Sequence, residues 1–91
     1  MRLDLFLKTS RLCARRSVAQ QLCDAGRVLL NGRPAKSAHV VNPKDLIAIR
    51  RSDGEIVARI LRVPARGNLS RRDAAQLVEV LSEKVPERGL E

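Results

Sequence analysis

The sequence predicts an α+β fold: two N-terminal helices packed on a small antiparallel sheet with hairpins, followed by a short C-terminal helix. Three observations lead there. Apolar residues recur at helical spacing up to about Asp24, strand-like runs around the turn signals Asn31-Gly32 and Ser52-Asp53-Gly54 follow, and a capped segment opens at Ser70. At 91 residues the chain suits one small domain with a modest core and no deep catalytic pocket.

The first helix is expected from about Leu3 to Ala14, because Leu3, Phe6, Leu7, Ser10 and Cys13 share one face. Lys8, Arg11 and Arg15 then fall within about 60° of one another on the opposite side, separating charge from core. Asp4 stands near the positive end of the helix dipole and four residues before Lys8, the favourable order for an ion pair. A second helix is expected to begin at Ser17, where Ser17-Val18-Ala19-Gln20 matches a capping box, and to stop at Gly26. Its stripe of Val18, Ala19, Leu22 and Cys23 would pack on the first helix. The break at Ala14-Arg15-Arg16 sets two guanidinium groups beside a helix N-terminus, a place that favours a phosphate.

Val28, Leu29 and Leu30 read as a short strand, and Asn31-Gly32 supplies the positive dihedrals of a tight turn. Arg33-Pro34-Ala35-Lys36 returns from it, with Pro34 arguing for a sheet edge. Pro43-Lys44-Asp45 is a turn; Leu46–Arg51 and Glu55–Val63 then flank Ser52-Asp53-Gly54 as a hairpin. After a loop from Pro64 to Leu69, Ser70-Arg71-Arg72-Asp73 can cap a last helix with a stripe of Ala74, Leu77, Val78, Leu81 and Val85, docked on the sheet. The expected organisation is thus a domain over residues 1–63, a loop and helix over 64–85 packed on it, and a frayed tail over 86–91.

Charge is concentrated at one end. Residues 1–36 hold eight Lys and Arg against Asp4 and Asp24, six of the eight net positive charges; the rest of the chain has ten bases and eight acids. One surface therefore faces a polyanion. Phe6 is the only aromatic residue, so base stacking is nearly unavailable and recognition should rest on phosphates and shape, as in folded RNA. No apolar run approaches the roughly 20 residues that cross a bilayer, and Asp4 and Lys8 interrupt any signal peptide, so a cytoplasmic protein without membrane contact is expected.

The residues for catalysis are missing. The serines have His39 as their only conceivable histidine base, and it sits between Ala38 and Val40 in an ordinary structural setting. Gly26 and Gly32 are spaced for a helix stop and a hairpin turn, not for a phosphate loop. Cys13 and Cys23 could pair, but their apolar neighbours and a reducing compartment favour buried thiols; with His39 they lack zinc spacing. A binder is expected, not an enzyme, with no metal and no cofactor.

Arg2-Leu3-Asp4, Leu7, Ser10-Arg11, Arg16-Ser17, Ala19, Gly26, Val28, Asn31-Gly32, Ala35-Lys36-Ser37 and Asp45 together resemble the alpha-L RNA-binding motif, the domain named for ribosomal small-subunit protein four. The resemblance spans about residues 2–51 and implies an L-shaped surface of two helices and a hairpin lying on structured RNA. With no catalytic domain expected after it, and with Asp73-Ala74-Ala75 in its last helix, the chain resembles the stand-alone RqcP and heat-shock-protein-fifteen type of the motif. That implies a ribosome-quality-control role: binding the obstructed large ribosomal subunit through its rRNA together with peptidyl-tRNA, while the partner factor RqcH delivers alanyl-tRNA for untemplated alanine tailing. A monomer is expected. The resemblance assigns RNA contact to Arg2, Arg16, Ser17, Asn31, Lys36 and Ser37, and charge geometry adds Lys8, Arg11, Arg15, Arg27 and Arg33. Leu5 stands where the family often places a base. The alternative is a general structured-RNA binder in rRNA assembly or tRNA handling. Helix-turn-helix DNA binding is disfavoured because the second helix carries few base-reading side chains.

Overall fold

The computed structural model describes residues 1–84. Two helices, α1 (Leu3–Thr9) and α2 (Arg16–Asp24), precede the strands β1 (Val28–Leu30), β2 (Arg33–Pro34), β3 (Leu46–Arg51) and β4 (Gly54–Ile60); a short helix α3 (Arg71–Ala74) and a strand β5 (Val78–Lys84) complete the order. All five strands join one antiparallel sheet, ordered β2-β1-β3-β4-β5.

α1 is shorter than its apolar spacing predicts. Leu3, Phe6 and Leu7 are buried as expected, but Ser10 is the C-cap and Arg11 turns into the left-handed region at φ 64°. The chain folds back there, Arg11 N–H donating to the Lys8 carbonyl and Cys13 N–H to that of Leu7 (both 3.0 Å). Cys13 thus reaches the core through a turn and not along a helix. The phase that grouped Lys8, Arg11 and Arg15 therefore holds only as far as Lys8.

α2 begins one residue earlier than predicted, with Arg15 as an extended N-cap and no side-chain cap. The Ser17/Gln20 capping box does not form, because the Gln20 amide donates to the Asp4 carboxylate instead (2.9 Å). A charged acceptor out of water outcompetes an exposed cap. Gly26 ends the helix at φ 73°, with Gly26 N–H on the Cys23 carbonyl and Arg27 N–H on that of Leu22, the paired bonds of a glycine-terminated helix. Ala19 and Cys23 are buried, whereas Val18 is 37% exposed.

The β1–β2 turn is as read: Asn31 and Gly32 have φ of 52° and 85°, the two positive dihedrals that suit the twist of a tight hairpin. Pro34 is on the edge strand, where its missing N–H costs nothing. β3 and β4 pair from Leu46↔Arg59 to Arg51↔Gly54 around Ser52-Asp53. Val28, Leu30, Ile47, Ile49 and Ile60 form one buried face against α1 and α2. Leu3 N–H also donates to the His39 carbonyl (2.7 Å), and Val41 N–H to that of Met1 (3.0 Å), tying the start of α1 to the segment after β2.

The C-terminal helix is corrected to a single turn. The Ser70 hydroxyl does cap it, accepting from Asp73 N–H at 3.1 Å, and Ala74 and Leu77 are buried. From Val78, however, the chain is a strand that covers the open edge of β4. The helical stripe fails at Leu81, which is 44% exposed and is the extra residue of a bulge, since Ser82 faces Val57 while Val80 faces Ala58. Alternating Val78 and Val80 suit a pleated strand, and pairing with β4 satisfies a row of backbone groups that a helix would leave open. Val85 and the tail predicted over residues 86–91 lie outside the described residues.

Candidate nucleic-acid interface

The N-terminal basic residues are organised by a buried acid. Asp4 is fully buried, in the first turn of α1. Its carboxylate accepts from Leu5 N–H (2.7 Å), Gln20 Nε2 (2.9 Å) and Arg2 Nε and Nη2 (both 3.2 Å), and Arg16 Nε lies 3.2 Å away. Burial would push the Asp4 carboxyl up, but the Gln20, Arg16 and Leu5 hydrogen bonds, with the charge of Arg16, hold it below the ordinary carboxylate range. The ion pair expected with Lys8 is not made. Asp4 instead ties the start of α1 to α2 and fixes two guanidinium groups that stay about half exposed, at 48% and 43%.

The segment after β2 faces this pair. Ser37 O accepts from Asp4 N–H (3.2 Å), and Arg2, Lys36, Ser37 and Gly26 line one groove. Arg2, Arg16, Lys36 and Ser37 thus come together where α1, α2 and the post-hairpin segment meet, with Arg15 and Ser17 exposed next to Arg16 in the chain. Fixed cations with free N–H groups on such a surface suit phosphate oxygens, and a guanidinium can contact two of them.

The other predicted residues lie elsewhere. Lys8 and Arg11 are at the far end of α1, in a cleft with Gly67, Leu69 and Arg71. Arg27 is exposed beside Arg51 and Asp53, with its Nη1 on the Arg50 carbonyl at 3.4 Å. Arg33 is exposed on β2. Asn31 is exposed, and its side chain also ties the turn together: its amide donates to Asp45 Oδ1 (3.0 Å) and its carbonyl oxygen accepts from Leu46 N–H (2.9 Å), which leaves a second N–H and a second lone pair unused.

Sequence reasoning missed three participants. Gln20, which the sequence pattern places as a cap on its own helix, holds the Asp4 carboxylate instead. Arg51 reaches back to α1's exit turn, donating to the Leu12 carbonyl at 2.7 Å and to Cys13 Sγ at 3.7 Å. Arg71 joins Lys8 and Arg11 across a gap of sixty residues, which no local pattern signals. Cys13 and Cys23 are buried free thiols. Burial pushes both thiols up, against the Arg51 hydrogen bond at Cys13 and the Ser37 hydrogen bond at Cys23, so neither is an activated nucleophile. Among the described residues, no cluster of three or more His, Cys, Asp or Glu side chains could hold a metal, and no helix is long and apolar enough to cross a membrane.

A helix pair, a following hairpin and a basic surface at their junction define an S4-domain protein, and residues 1–47 match that family, described as the S4 domain. Two solved structures share the architecture over nearly the whole chain. Trimeric Heat Shock Protein 15 of Vibrio cholerae superposes with a TM-score of 0.80 at 27% identity, covering 90% of this chain and 82% of that one. The solution structure of the hypothetical protein HP1423 gives 0.78 at 33% identity, covering 92% and 100%. Among curated relatives, the RQC P-site tRNA stabilizing factor of Halalkalibacterium halodurans is 38% identical over 92% of this chain and 93% of its own length, and that of Bacillus subtilis is 33% identical over 92% and 95%. The chain belongs to this S4-domain family.

Proposed function

We propose that this protein is a non-enzymatic, cytoplasmic RNA-binding factor of ribosome quality control, which binds the obstructed large ribosomal subunit and steadies a peptidyl-tRNA against its rRNA. The observation that carries the reading is the Asp4-centred cluster, which holds Arg2 and Arg16 in fixed, half-exposed positions beside Lys36 and Ser37. The names of the relatives, which stabilise a P-site tRNA, supply the ligand class. Arg2, Arg15, Arg16, Ser17, Lys36 and Ser37 form the principal contact. Lys8, Arg11, Arg27 and Arg33 add charge on other faces, and Asn31 acts by shaping the hairpin. Fixing a tRNA by phosphate contacts needs no reacting group in the protein, so bond formation remains with the ribosome. RqcH, delivering alanyl-tRNA for untemplated tailing of the stalled chain, is the expected partner factor.

Co-sedimentation with obstructed large subunits tests the reading. Arg2→Ala and Arg16→Ala should each abolish it with native circular dichroism; unchanged sedimentation would overturn the proposal. RNA crosslinked to the protein should comprise tRNA and large-subunit rRNA, whereas a predominance of free precursor rRNA would point to an assembly role. Pull-down from stalled-ribosome extracts should recover RqcH with the tRNA-bearing subunit, and its absence would remove that partner.

A further inference from the structure

The cleft at the far end of α1 is built from parts that the S4 match does not explain. Its walls are Lys8 and Arg11 from the exit of α1, and Gly67, Leu69 and Arg71 from a segment well beyond residue 47. That segment is held closely on α1. Thr9 Oγ1 donates to the Gly67 carbonyl (3.2 Å), and Arg11 Nη2 to that of Leu69 (3.3 Å). Gly67 fits so tightly that a Cβ there would sit 3.0 Å from Leu5 Cδ1. Leu5 thus serves as the floor on which the loop rests.

The electrostatics of this cleft differ from those around Asp4. No carboxylate is among its lining residues, and among the described residues Lys8, Arg11 and Arg71 make no ion pair. Arg2 and Arg16, by contrast, share the charge of Asp4. Arg11 is held at its left-handed turn and by the Leu69 carbonyl, with further guanidinium donors left over. Three cations converging with no carboxylate among the described residues that line the cleft suit the phosphates of a nucleic-acid backbone. The two basic sites share no lining residue and lie at opposite ends of α1, about 9 Å apart along its axis between residues 2 and 8.

We infer that Lys8, Arg11 and Arg71 form a second RNA-backbone site, independent of the Arg2/Arg16 cluster, in which the segment carrying Arg71 completes a phosphate contact that the S4 domain alone lacks. This rests on the RNA-binding reading above and adds a distinct site to it.

The test uses the full chain and a fluorescent structured RNA, tRNA, titrated at several potassium chloride concentrations. Arg71→Ala should weaken binding about tenfold, the worth of one charge-assisted contact, and reduce the log–log salt slope by roughly 0.7–0.9, one phosphate. Combined with Arg2→Ala, the fold-losses should multiply, as for separate sites. Arg72→Glu, a charge reversal on the next residue, which is off the cleft wall, is the control; it should cost far less than Arg71→Glu. Thermal melts establish that each variant is folded, and Arg71→Lys, which keeps the charge, should recover most of the affinity. Equal losses in the Arg71→Glu and Arg72→Glu variants would mean a diffuse field and overturn the site. Wild-type affinity and slope in Arg71→Glu, with binding lost in Arg2→Ala, would overturn this inference while leaving the proposed function intact. Unchanged binding in both Arg2→Ala and Arg71→Glu would defeat the function itself. Binding of an acidic peptide to wild type but not to Arg71→Glu, with tRNA affinity equal in both, would assign the cleft to a protein partner and overturn the RNA site.

Discussion

Replacing Asp4 by alanine should destabilise the fold and loosen the basic surface in one step. The carboxylate is fully buried and accepts from Leu5 N–H, Gln20 Nε2 and Arg2, with Arg16 beside it. Losing the Leu5 and Gln20 bonds to a charged acceptor costs about 1.5 kcal/mol each at the low end. The two arginines are nearly half exposed, so solvent screening limits their share to about 0.5 kcal/mol each. The sum, about 4 kcal/mol, lies within the range for breaking a buried charge pair from one side. In a domain of this size it should lower Tm by on the order of 20 °C. Asp4→Asn keeps the shape and one acceptor and should cost about half as much. Equilibrium urea unfolding followed by circular dichroism measures both, and a loss below about 1 kcal/mol in Asp4→Ala would refute the assignment of Asp4 as organiser. Acid titration is the second arm. Because the folded-state pKa is depressed, Asp4's contribution is fully present above the ordinary value of 3.8 and disappears as pH falls through the lower folded value. Wild type should therefore lose stability over that acid window, and Asp4→Asn should lose less; parallel acid limbs would contradict the network.

Asn31→Ala removes two hydrogen bonds and puts a Cβ residue without local polar support at φ 52°, so it should cost about 2 kcal/mol by denaturant midpoint while RNA affinity per folded molecule changes little; a large affinity loss in a stable variant would show direct contact. Leu77→Ala opens a cavity where β5 and its approach meet the core, and a loss of about 2–4 kcal/mol is expected; a loss under 1 kcal/mol would mean that this segment packs only loosely. Cys13 and Cys23, buried and pushed up in pKa, should react with a thiol reagent at neutral pH only at the rate of opening, and prompt labelling of the native protein would contradict that burial.

The first four strands, both hairpin turns, the edge proline and the existence of the two N-terminal helices were legible in the sequence because each rests on local rules: apolar period, positive-φ turn residues and glycine stops. The last segment was not, since Ala74, Leu77, Val78 and Leu81 fit a helix as well as a strand. The unpaired edge of β4, visible only in three dimensions, decided between them. The same holds within the candidate site. The sequence shows that Arg2, Arg16 and Lys36 are present and that charge gathers in the first third of the chain.

By itself, then, the sequence determined a small α+β domain with a basic N-terminal third, almost no aromatic surface and a motif suited to folded RNA. Only the tertiary structure decided that Gln20 would leave its own helix for Asp4, that Arg11 would separate from Arg15 at a left-handed turn, and that Arg71 would stand beside Lys8. Those outcomes depend on which groups lose water and which partners a closed core brings within reach, competitions between distant residues that local periodicity does not contain.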